Sequence, residues 1–402
     1  MAPTRNDRSP RFQAPKGYNY KRVVDGLEMA AHFKRLYPGL RLSTPPLRLR
    51  SEIPPASDPR GPAKTLQDFE CVRELGTGGN GRVFLVRTRD HAAQLFALKS
   101  VAKKALRQIF IGEHPEDTSR ERLTLVDMPW NAFVSGLLQT FYDDRNIYML
   151  LEYPTGGTLH DLIDAHRDGM PPSLLIFYFA NIMCALEHLQ RTGFVHRDLK
   201  PSNILVGADG YLLLCDFGAT LRALPYGEHD TGFYNGEGTV LYQAPEAWDP
   251  TKQPDPSSVR FGAAIDWWAA GITLFEMATG DTPYDPRDCS ADLEPGDAIL
   301  NQILTVPLAS RWPPHRPYGR KLKSLVAGLL TFDANARLGA CGGFDEVRRH
   351  PWLAPVDWKK MRRKWYIPPF LGKPPPEYGF ALGSDDRHPL KKHRFPGLRF
   401  AN

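Results

Sequence analysis

The sequence predicts an α+β fold in which a β-rich part precedes a larger, mainly helical part. Segments with the composition of strands follow one another between residues 69 and 152. The long segments with helical periodicity lie further on, at 172–190 and 264–280. Runs of strands followed by runs of helices are typical of this class. With 402 residues, the chain can fill one large core or two lobes, with tails in addition.

The first part is predicted to be mostly strand, with one helix. β-Branched and aromatic residues predict strands over 69–86, where glycines interrupt them, and over 94–100. A helical stretch is predicted near 117–126, and further strands are predicted around 133–141 and 147–152.

The second part is predicted to be organised by two long helices. Residues 172–190 have helical periodicity, with Ser173 in position to cap the N-terminus and Gly193 just beyond the C-terminus. The second and more apolar helix is expected at the centre of this part. Between the two helices, the apolar runs 204–206 and 211–214 predict a hairpin.

The two ends of the chain are basic, whereas its middle is acidic. Residues 1–60 hold 12 Lys and Arg against 5 Asp and Glu, residues 355–402 hold 11 against 4, and residues 61–354 hold 28 against 36. We predict that residues 1–65 form a basic, proline-rich arm that is largely disordered. The acidic middle would attract cationic peptides, and the arms would either bind a regulatory partner or be solvated surface.

Several classes of protein are disfavoured by composition. The five cysteines are widely spaced and contain no C-x-x-C pair, so neither a disulfide framework nor a zinc site is indicated. No apolar run long enough to span a bilayer is expected, and no transmembrane segment is predicted. The arms lack a recognisable nucleic-acid reading module, so no nucleic-acid partner is expected. We therefore expect a cytoplasmic or nuclear location.

The most informative string is HRDLKPSN, at His196–Asn203. It matches the pattern H-R-D-L-x-x-x-N, in which a carboxylate can accept a hydroxyl proton and an amide five residues later can bind a metal. The string DFG follows at 216–218, and its aspartate, Asp216, is a hard oxygen ligand suited to magnesium. Two such strings in this order, between apolar segments typical of strands, are difficult to attribute to chance.

A glycine-rich string, Gly76–Gly81, contains G-x-G-x-x-G. Dinucleotide-binding proteins share this pattern, but their glycines precede a helix. Here Arg82–Val86 continues as a strand, so the glycines predict a hairpin turn whose backbone can cover phosphates. A P-loop is excluded because the chain contains no G-x-x-x-x-G-K-[ST] string.

Lys99 ends the apolar string FALK, which corresponds in type and position to V-A-I-K. The alternative interpretation is a surface lysine on an edge strand, but the upstream glycine-rich string disfavours it. Such a lysine needs a carboxylate partner on the following helix. Glu121 is the preferred partner because it falls on the predicted helix, and Glu113 and Glu116 are the alternatives.

Together, these motifs resemble those of eukaryotic protein kinases of the serine/threonine type, over residues 69–352. The chain is most similar to the AGC group and, within it, to cyclic-AMP-dependent protein kinases. The strings that carry the likeness are LGTGGNGRVFLV at 75–86, LEY at 151–153, DWW at 266–268 and HPW at 350–352.

The resemblance implies a bilobal protein kinase fold with a small β-rich N-lobe at 69–151 and a large, mainly α-helical C-lobe at 155–352. An AGC-like C-terminal tail would follow at 353–402 and run across the domain. The implied cofactors are ATP and Mg²⁺, and the implied substrates are proteins bearing Ser or Thr. The implied reaction is transfer of the γ-phosphoryl group of ATP to a protein hydroxyl.

The resemblance also implies roles for individual residues. Asp198 would be the catalytic base, Lys200 would steady the γ-phosphate, and Asn203 and Asp216 would hold magnesium. The residues implied to bind the nucleotide come from the glycine-rich string, the lysine and its partner, and the segments around the adenine: Leu75, Gly76, Thr77, Gly78, Gly79, Asn80, Gly81, Val83, Ala97, Lys99, Glu121, Leu151, Glu152, Tyr153 and Leu205.

Other residues are implied to be structural. Thr239 would bond Asp198 and Lys200, and Glu246 would form a buried pair with Arg337. A stack of four side chains, tied to Asp266 of the second long helix, would assemble in the active state, and its members would be Leu125, Leu137, His196 and Phe217.

Two regions depart from the AGC pattern. Asn235 stands where AGC kinases carry a phosphorylated threonine, so we expect the segment either to be ordered by an acid such as Glu237 or to be switched at Thr231. Thr158 and Ser202 stand where the similar kinases have acids that bind substrate arginines, whereas the corresponding Glu276 is retained. A strict preference for several basic residues is therefore not expected.

Two functional hypotheses follow. The first is an ATP- and magnesium-dependent serine/threonine protein kinase. The second is a pseudokinase scaffold that binds partners without catalysis. The first is favoured because pseudokinases usually lose the lysine or one of the two aspartates, and this chain retains Lys99, Asp198 and Asp216.

Overall fold

In a computed structural model, the chain forms two compact units that follow one another at Tyr153 and Pro154. The structure describes residues 65–78, 81–90, 95–104, 120–207, 209–222, 238–248, 262–288, 293–314 and 318–366, together with 251, 254, 316 and 368. The smaller unit is mostly sheet and the larger unit is mostly helix, so the predicted α+β class is confirmed. The predicted N-terminal arm lies outside the described residues, apart from Thr65.

The described part of the smaller unit contains a five-stranded antiparallel sheet and one complete α-helix. Along the sheet, the strands are ordered β1-β2-β3-β5-β4. Their bounds are β1 Phe69–Gly78, β2 Gly81–Thr88, β3 Leu95–Ala102, β4 Leu137–Tyr142 and β5 Asn146–Glu152, and helix α1 is Arg120–Asp127. Each predicted strand is present, but β4 begins at Leu137 rather than at 133. The reason is a turn in which Asn131 accepts hydrogen bonds from the amides of Phe133 and Val134.

The two faces of this sheet carry different residues. One face buries a cluster in which aromatic and branched side chains alternate along the strands: Phe69, Phe84, Val86, Phe96, Leu98, Tyr148 and Leu150. Phe69 and Phe96 meet edge to face, with ring centroids 6.0 Å apart. The other face carries Lys99, because side chains of a strand alternate between faces.

The larger unit contains eight α-helices and two short strand pairs in its described part. The helices are α2 Leu159–Asp164, α3 Pro172–Thr192, α4 Pro245–Trp248, α5 Ala263–Thr279, α6 Pro295–Thr305, α7 Arg320–Leu329, α8 Gly343–Val347 and α9 Trp358–Arg362. The strands are β6 Phe194–Val195, β7 Ile204–Val206, β8 Leu212–Leu214 and β9 Leu221–Arg222. β6 pairs with β9, and β7 pairs with β8 as the predicted hairpin.

The two predicted long helices, α3 and α5, form the core of the larger unit, and almost every residue of α5 is buried. α3 ends at Thr192, and Gly193 caps it just beyond the end, as predicted. Its start at Pro172 also agrees with the prediction, but Ser173 lies within the first turn and does not cap the helix. Proline is favoured at this position because its fixed φ suits a helix and its missing amide hydrogen is not needed there.

One described helix, α3, is long and apolar enough to cross a membrane by length and composition alone. The expectation that no apolar segment reaches that length is therefore corrected for this helix. Most of its residues are buried against other elements of the larger unit, including α5, β8 and α8. The same composition is expected of a central core helix in a folded domain.

The beginning of the C-terminal segment packs on the larger unit. Arg362 makes two hydrogen bonds of 2.7 and 2.8 Å to the carboxylate of Glu187 on α3, and Met361 is buried beside Asn181. Ring contacts add to this packing, because Phe344 meets the ring of Trp358 at 4.9 Å. The rest of the predicted C-terminal tail, apart from Pro368, lies outside the described residues.

Candidate active site

The glycine-rich string forms the turn between β1 and β2. Gly78 pairs with Gly81 across the hairpin, and residues 79–80 between them, Gly79 and Asn80, lie outside the described residues. The prediction of a strand after the glycines is therefore confirmed. Gly81 has φ of +120°, and a Cβ there would lie 2.4 Å from the Ser100 carbonyl oxygen. Only glycine fits this close approach of β2 and β3.

A polar cluster beside this turn was missed by the sequence analysis. The Glu74 carboxylate accepts hydrogen bonds from the Thr77 hydroxyl and the Arg82 guanidinium. The hydrogen bond from Arg82 lowers the pKa of Glu74, and that from Thr77 adds to the effect. Arg82 also lies 5.0 Å above the Phe84 ring. Arg82 is opposite Thr77 in the strand register and reaches Glu74 along β1, and only the sequence positions of these residues on either side of the glycines could have indicated the contact.

Lys99 and Glu121 form a buried ion pair in the smaller unit. The Lys99 Nζ lies 2.6 Å from the Glu121 Oε2, and only 7% and 6% of the two side chains are exposed. β3 supplies the lysine and α1 supplies the glutamate. Among the alternatives, Glu113 and Glu116 lie outside the described residues. A lysine held in this way presents a fixed positive charge, and loss of either partner would leave an uncompensated buried charge.

Strand register places most other predicted nucleotide residues of this unit on the Lys99 face. Val83 is opposite Lys99, and Ala97 is opposite both Leu85 and Leu151. Directly opposite residues share a face, so these side chains lie together. Leu75 is half-buried on β1, and Gly76 and Thr77 are exposed beside the turn.

Glu152 differs from its neighbours on β5. It pairs with Phe96, which belongs to the buried cluster on the other face, and only 1% of the residue is exposed. Its carboxylate lies against Gly136. The side chain of Glu152 therefore points into the smaller unit, so only its backbone can face the Lys99 side. Tyr153 is half-buried at the end of the unit.

In the larger unit, the carboxylate of Asp198 is at the centre of a hydrogen-bond network. Lys200 Nζ lies 2.8 Å from its Oδ2, and the amide and hydroxyl of Thr239 lie 2.9 and 3.0 Å from its Oδ1. Asn203 Nδ2 donates to Oδ2 at 2.9 Å and to the backbone oxygen at 2.8 Å. The predicted bonds of Thr239 to Asp198 and Lys200 are present. Such a carboxylate is fixed in orientation while remaining an acceptor.

The loop that carries Asp198 is held from below by Asp266 on α5. Its two carboxylate oxygens accept the backbone amides of His196 and Arg197 at 2.8 and 2.9 Å. Burial raises the pKa of Asp266, and its contacts with His196 and Arg197 oppose that rise. Arg197 has φ of +70°, an unusual value for a residue other than glycine. The buried carboxylate thus stabilises a strained backbone next to Asp198.

The β7–β8 hairpin brings Asn203 and Asp216 to the same end. Ile204 pairs with Leu214, and the Cys215 amide donates to the Asn203 carbonyl at 2.9 Å. Asp216 follows directly, with φ of +59°. Within the described residues, no group of three His, Cys, Asp or Glu side chains could hold a metal ion by itself. Two oxygen-bearing side chains fit Mg²⁺, which takes few protein ligands and shares phosphates and water.

Two members of the predicted stack meet in the larger unit. The rings of His196 and Phe217 have centroids 5.1 Å apart, and Phe217 is fully buried. His196 Nε2 donates to the Cys215 carbonyl at 3.0 Å, which links the catalytic loop to the end of β8. In the smaller unit, Leu125 and Leu137 are both buried and line one small cavity. Leu205 is half-buried on β7.

Glu246 and Arg337 form the predicted buried pair. The guanidinium makes two hydrogen bonds to the carboxylate, at 2.6 and 2.8 Å, and neither side chain is exposed. Arg337 also donates to the Ala264 carbonyl and lies 5.0 Å from the Trp268 ring. The bidentate geometry and the added partners satisfy nearly all the polar atoms of a pair that is fully removed from water.

The positions predicted to affect substrate recognition have different environments. Thr158 caps α2, accepting from the Asp161 amide at 3.1 Å and donating to its carboxylate at 2.8 Å. Glu276 is buried and accepts a hydrogen bond of 2.7 Å from the Tyr242 hydroxyl. Burial raises the pKa of Glu276 to about 7. Ser202 is exposed, and Asn235 lies outside the described residues.

Comparison with known proteins decides the family. The sequence profile described as "Protein kinase domain" matches residues 69–353, well over half of the chain. The chain belongs to the protein kinase family. Its resemblance to serine/threonine kinases of the AGC type and its bilobal α+β kinase fold are thereby confirmed. Protein kinases use ATP and generally Mg²⁺.

Three relatives illustrate what this kinase is similar to. It is 31% identical to rabbit (Oryctolagus cuniculus) protein kinase C zeta type over 84% of its own chain and 56% of the relative. It is 31% identical to the Saccharomyces cerevisiae cAMP-dependent protein kinase type 3, over 82% of its own chain and 75% of the relative. It is 33% identical to the Homo sapiens cAMP-dependent protein kinase catalytic subunit PRKX, over 80% of its own chain and 81% of the relative. This kinase spans little more than half the length of the first of these relatives and more of the other two.

Proposed function

We propose that this kinase transfers the γ-phosphoryl group of ATP to serine or threonine hydroxyls of proteins, with Asp198 as the catalytic base. The observation that carries the proposal is the network around its carboxylate, in which Thr239, Lys200 and Asn203 all bond to Asp198. In this role, the carboxylate orients the substrate hydroxyl and accepts its proton as the new bond to phosphorus forms. Lys200, fixed beside it, would steady the transferred phosphate.

The smaller unit supplies groups suited to a nucleotide. In this proposal, Lys99 holds the α- and β-phosphates, and its ion pair with Glu121 fixes the position of its charge. The backbone of the β1–β2 turn would cover the phosphates, and Val83 and Ala97 would contact the adenine. Their location on the Lys99 face of the sheet supports this assignment.

Asn203 and Asp216 would hold magnesium. When bound, the ion neutralises charge on the phosphates during transfer. The hairpin that joins these two residues supports the assignment, because it fixes both side chains at one end of a short strand pair. Asn203 also bonds Asp198, so the proposed metal and base positions are coupled through one amide.

We further propose that substrate recognition requires at most one basic residue close to the reactive hydroxyl. Thr158 is occupied in capping α2 and carries no charge, and Ser202 is neutral. Glu276 is the remaining acid of the set, and its hydrogen bond from Tyr242 fixes its carboxylate. A peptide array that varies one position at a time would show this preference as a single basic position.

The decisive test replaces Asp198 with asparagine in the full chain. Asp198→Asn is nearly isosteric, so we expect folding to persist and turnover to fall by about 10²-fold or more. Asp288→Asn is the matched control, because it removes one aspartate charge from an exposed turn outside the site. Phosphate transfer to peptides would be measured with ATP and Mg²⁺. Equal turnover of Asp198→Asn and the control would exclude Asp198 as the base.

The scaffold hypothesis is separated by a binding measurement. Saturating ATP with Mg²⁺ should raise the melting temperature of this kinase, because a ligand that binds only the folded state stabilises it. A folded protein with neither a thermal shift nor phosphate transfer would favour a pseudokinase scaffold instead.

A further inference from the structure

The C-terminal segment contacts the turn of the β7–β8 hairpin through a buried lysine. The side chain of Lys364 is only 1% exposed, and its Nζ lies 3.1 Å from the Asp209 Oδ2. The same ammonium group lies 5.2 Å from the centre of the Tyr211 ring. A lysine is almost never this buried unless it is paired with an acid. Asp209 supplies that negative charge to Lys364.

Two further contacts fix the same turn. The Tyr211 hydroxyl donates to the Tyr366 carbonyl at 2.8 Å. Gly210 has φ of +76°, and a Cβ there would lie 2.8 Å from the Pro368 side chain. Lys364 itself has φ of +52°, a backbone conformation that is unfavourable for lysine and is retained here by its contacts. The segment and the turn are therefore matched closely to one another.

The other end of this hairpin carries Asn203 and Asp216. β7 and β8 have three residues each, so the turn and the proposed magnesium ligands are separated by only about 10 Å. A two-stranded hairpin of this length is not stable alone and depends on its surroundings. The Leu212 amide donates to Asn181 on α3, and the Val206 amide donates to the Gly157 carbonyl. The C-terminal segment supplies the support at the turn.

We propose that the C-terminal segment Asp357–Tyr366 positions the metal-holding end of the β7–β8 hairpin, with Lys364 as the positioning residue. The inference rests on the proposed role of Asn203 and Asp216 in holding magnesium. Lys364 touches neither the nucleotide nor the metal in this scheme. It fixes the turn through Asp209, and the short strands transmit that position to the opposite end. Loss of the pair lets the hairpin tilt, which displaces the end that carries Asn203 and Asp216.

Lys364→Met tests the proposal, because it removes the charge and keeps an unbranched apolar side chain. We expect the Mg²⁺ concentration for half-maximal activity to rise about threefold or more. That is less than the roughly 10–100-fold typical of residues that hold a metal ligand directly. Turnover at saturating Mg²⁺ should change little. In the ligand-free protein, backbone amides of 204–206 and 212–214 should exchange hydrogen faster than in the wild type.

Arg362→Gln is the matched control. This variant removes the ion pair between the same segment and Glu187 on α3. It leaves the contacts of the segment with the β7–β8 hairpin in place. We expect it to lower the melting temperature without changing the Mg²⁺ requirement or the exchange of 204–206 and 212–214. If Lys364→Met and Arg362→Gln change only the melting temperature, the segment is merely structural and the proposal is wrong.

Asp209→Asn provides an independent variant should Lys364→Met fail to fold. It removes the other half of the ion pair, so it should raise the Mg²⁺ requirement to a similar extent. The double variant Lys364→Met/Asp209→Asn should show no additive effect, because both changes remove one interaction. Additive effects would contradict the proposal. A wild-type protein without phosphate transfer would instead contradict the proposed function, and the exchange measurement would still test the positioning of the hairpin.

Discussion

The two units hold their candidate site residues in different ways. In the smaller unit, Lys99 and its neighbours lie on a regular sheet, where strand register decides which side chains share a face. In the larger unit, Asp198 and Asp216 lie in loops, and hydrogen bonds from distant elements decide their positions. A charge can therefore be positioned either by the regular geometry of a sheet or by a hydrogen-bond network that must be complete.

The difference is also one of backbone strain. Within the described residues, non-glycine residues with positive φ are Arg197, Asp216 and Lys364, and all three belong to the larger unit. Each such conformation costs on the order of 1–3 kcal/mol. The carboxylate of Asp266 offsets part of that cost by accepting two backbone amides. Variants of the larger unit should therefore lose function when they remove hydrogen bonds that hold its loops. Variants of the smaller unit should lose function when they break the ion pair of Lys99 and Glu121.

The largest effect is expected at the buried ion pair of the larger unit. Arg337→Met leaves the Glu246 carboxylate fully buried without its partner, so the free energy of unfolding should fall by about 3–5 kcal/mol. Denaturant unfolding would measure it. The double variant Glu246→Gln/Arg337→Met should recover part of the loss, because it leaves no unpaired charge. A loss below about 1 kcal/mol for the single variant would show that the larger unit tolerates an incomplete network.

The next effect concerns pH. Burial raises the pKa of Glu276 to about 7 from 4.5, so the folded state holds a proton that the unfolded state releases between these values. Through this group, stability should be greatest below pH 4.5, decline by about 3 kcal/mol as pH rises to 7, and stay low above it. Glu276→Gln should remove this decline in unfolding measurements between pH 5 and 8. Parallel pH profiles for the variant and the wild type would contradict the assignment.

A smaller effect is expected at the support of the catalytic loop. Asp266→Asn replaces one of the two carboxylate oxygens with an NH₂ group, which cannot accept a hydrogen bond. The backbone amide of either His196 or Arg197 therefore loses its acceptor in the interior. We expect a loss of about 1–3 kcal/mol in stability and a fall in turnover with little change in the KM for ATP. Asp281→Asn, an exposed change just beyond α5, is the control. If both variants keep full turnover, the strained loop does not depend on this network.

The smallest effect should arise in the smaller unit, beside the glycine turn. Glu74→Gln weakens its bonds to Thr77 and Arg82, which are exposed to water. Because exposed pairs contribute little, we expect the KM for ATP to rise by less than about threefold and the melting temperature to stay nearly constant. High salt should reduce the difference between variant and wild type further. If Glu74→Gln lowers stability or turnover as much as Asp266→Asn does, the two units do not differ in how strongly they depend on their polar networks.

Much of the smaller unit could be predicted from the sequence because alternation and glycine spacing are local. The hairpin at Gly78 and Gly81 and the strands around Lys99 were predicted from neighbouring residues alone. The sequence-based prediction failed where two local sequence signals favoured different structures. Asn131 makes a turn where branched residues predicted strand, and Pro172 begins α3 one residue before the predicted cap.

The larger unit was predicted mainly through its motifs. Asp198, Asn203 and Asp216 were assigned from short strings, but the amide acceptor beneath them, Asp266, was assigned only by resemblance. The Lys364 and Asp209 pair was missed because its partners are 155 residues apart in the chain and neither belongs to a motif. Helices α6 to α9 were not predicted, since their packing faces depend on the core formed by α3 and α5. The expectations for Glu237 and Thr231 lie outside the described residues and stay predictions.

The pair between Glu246 and Arg337 restricts how this kinase can be recombined with its relatives. The two residues are 91 positions apart in sequence, yet each satisfies a charge that no solvent reaches. A hybrid gene with its crossover anywhere between them takes one residue from each parent. Such a hybrid keeps the fold only where both parents encode matching charges at these two positions. Crossovers after Arg337, or before Glu246, avoid this requirement and are the better sites for building chimeric kinases from this chain.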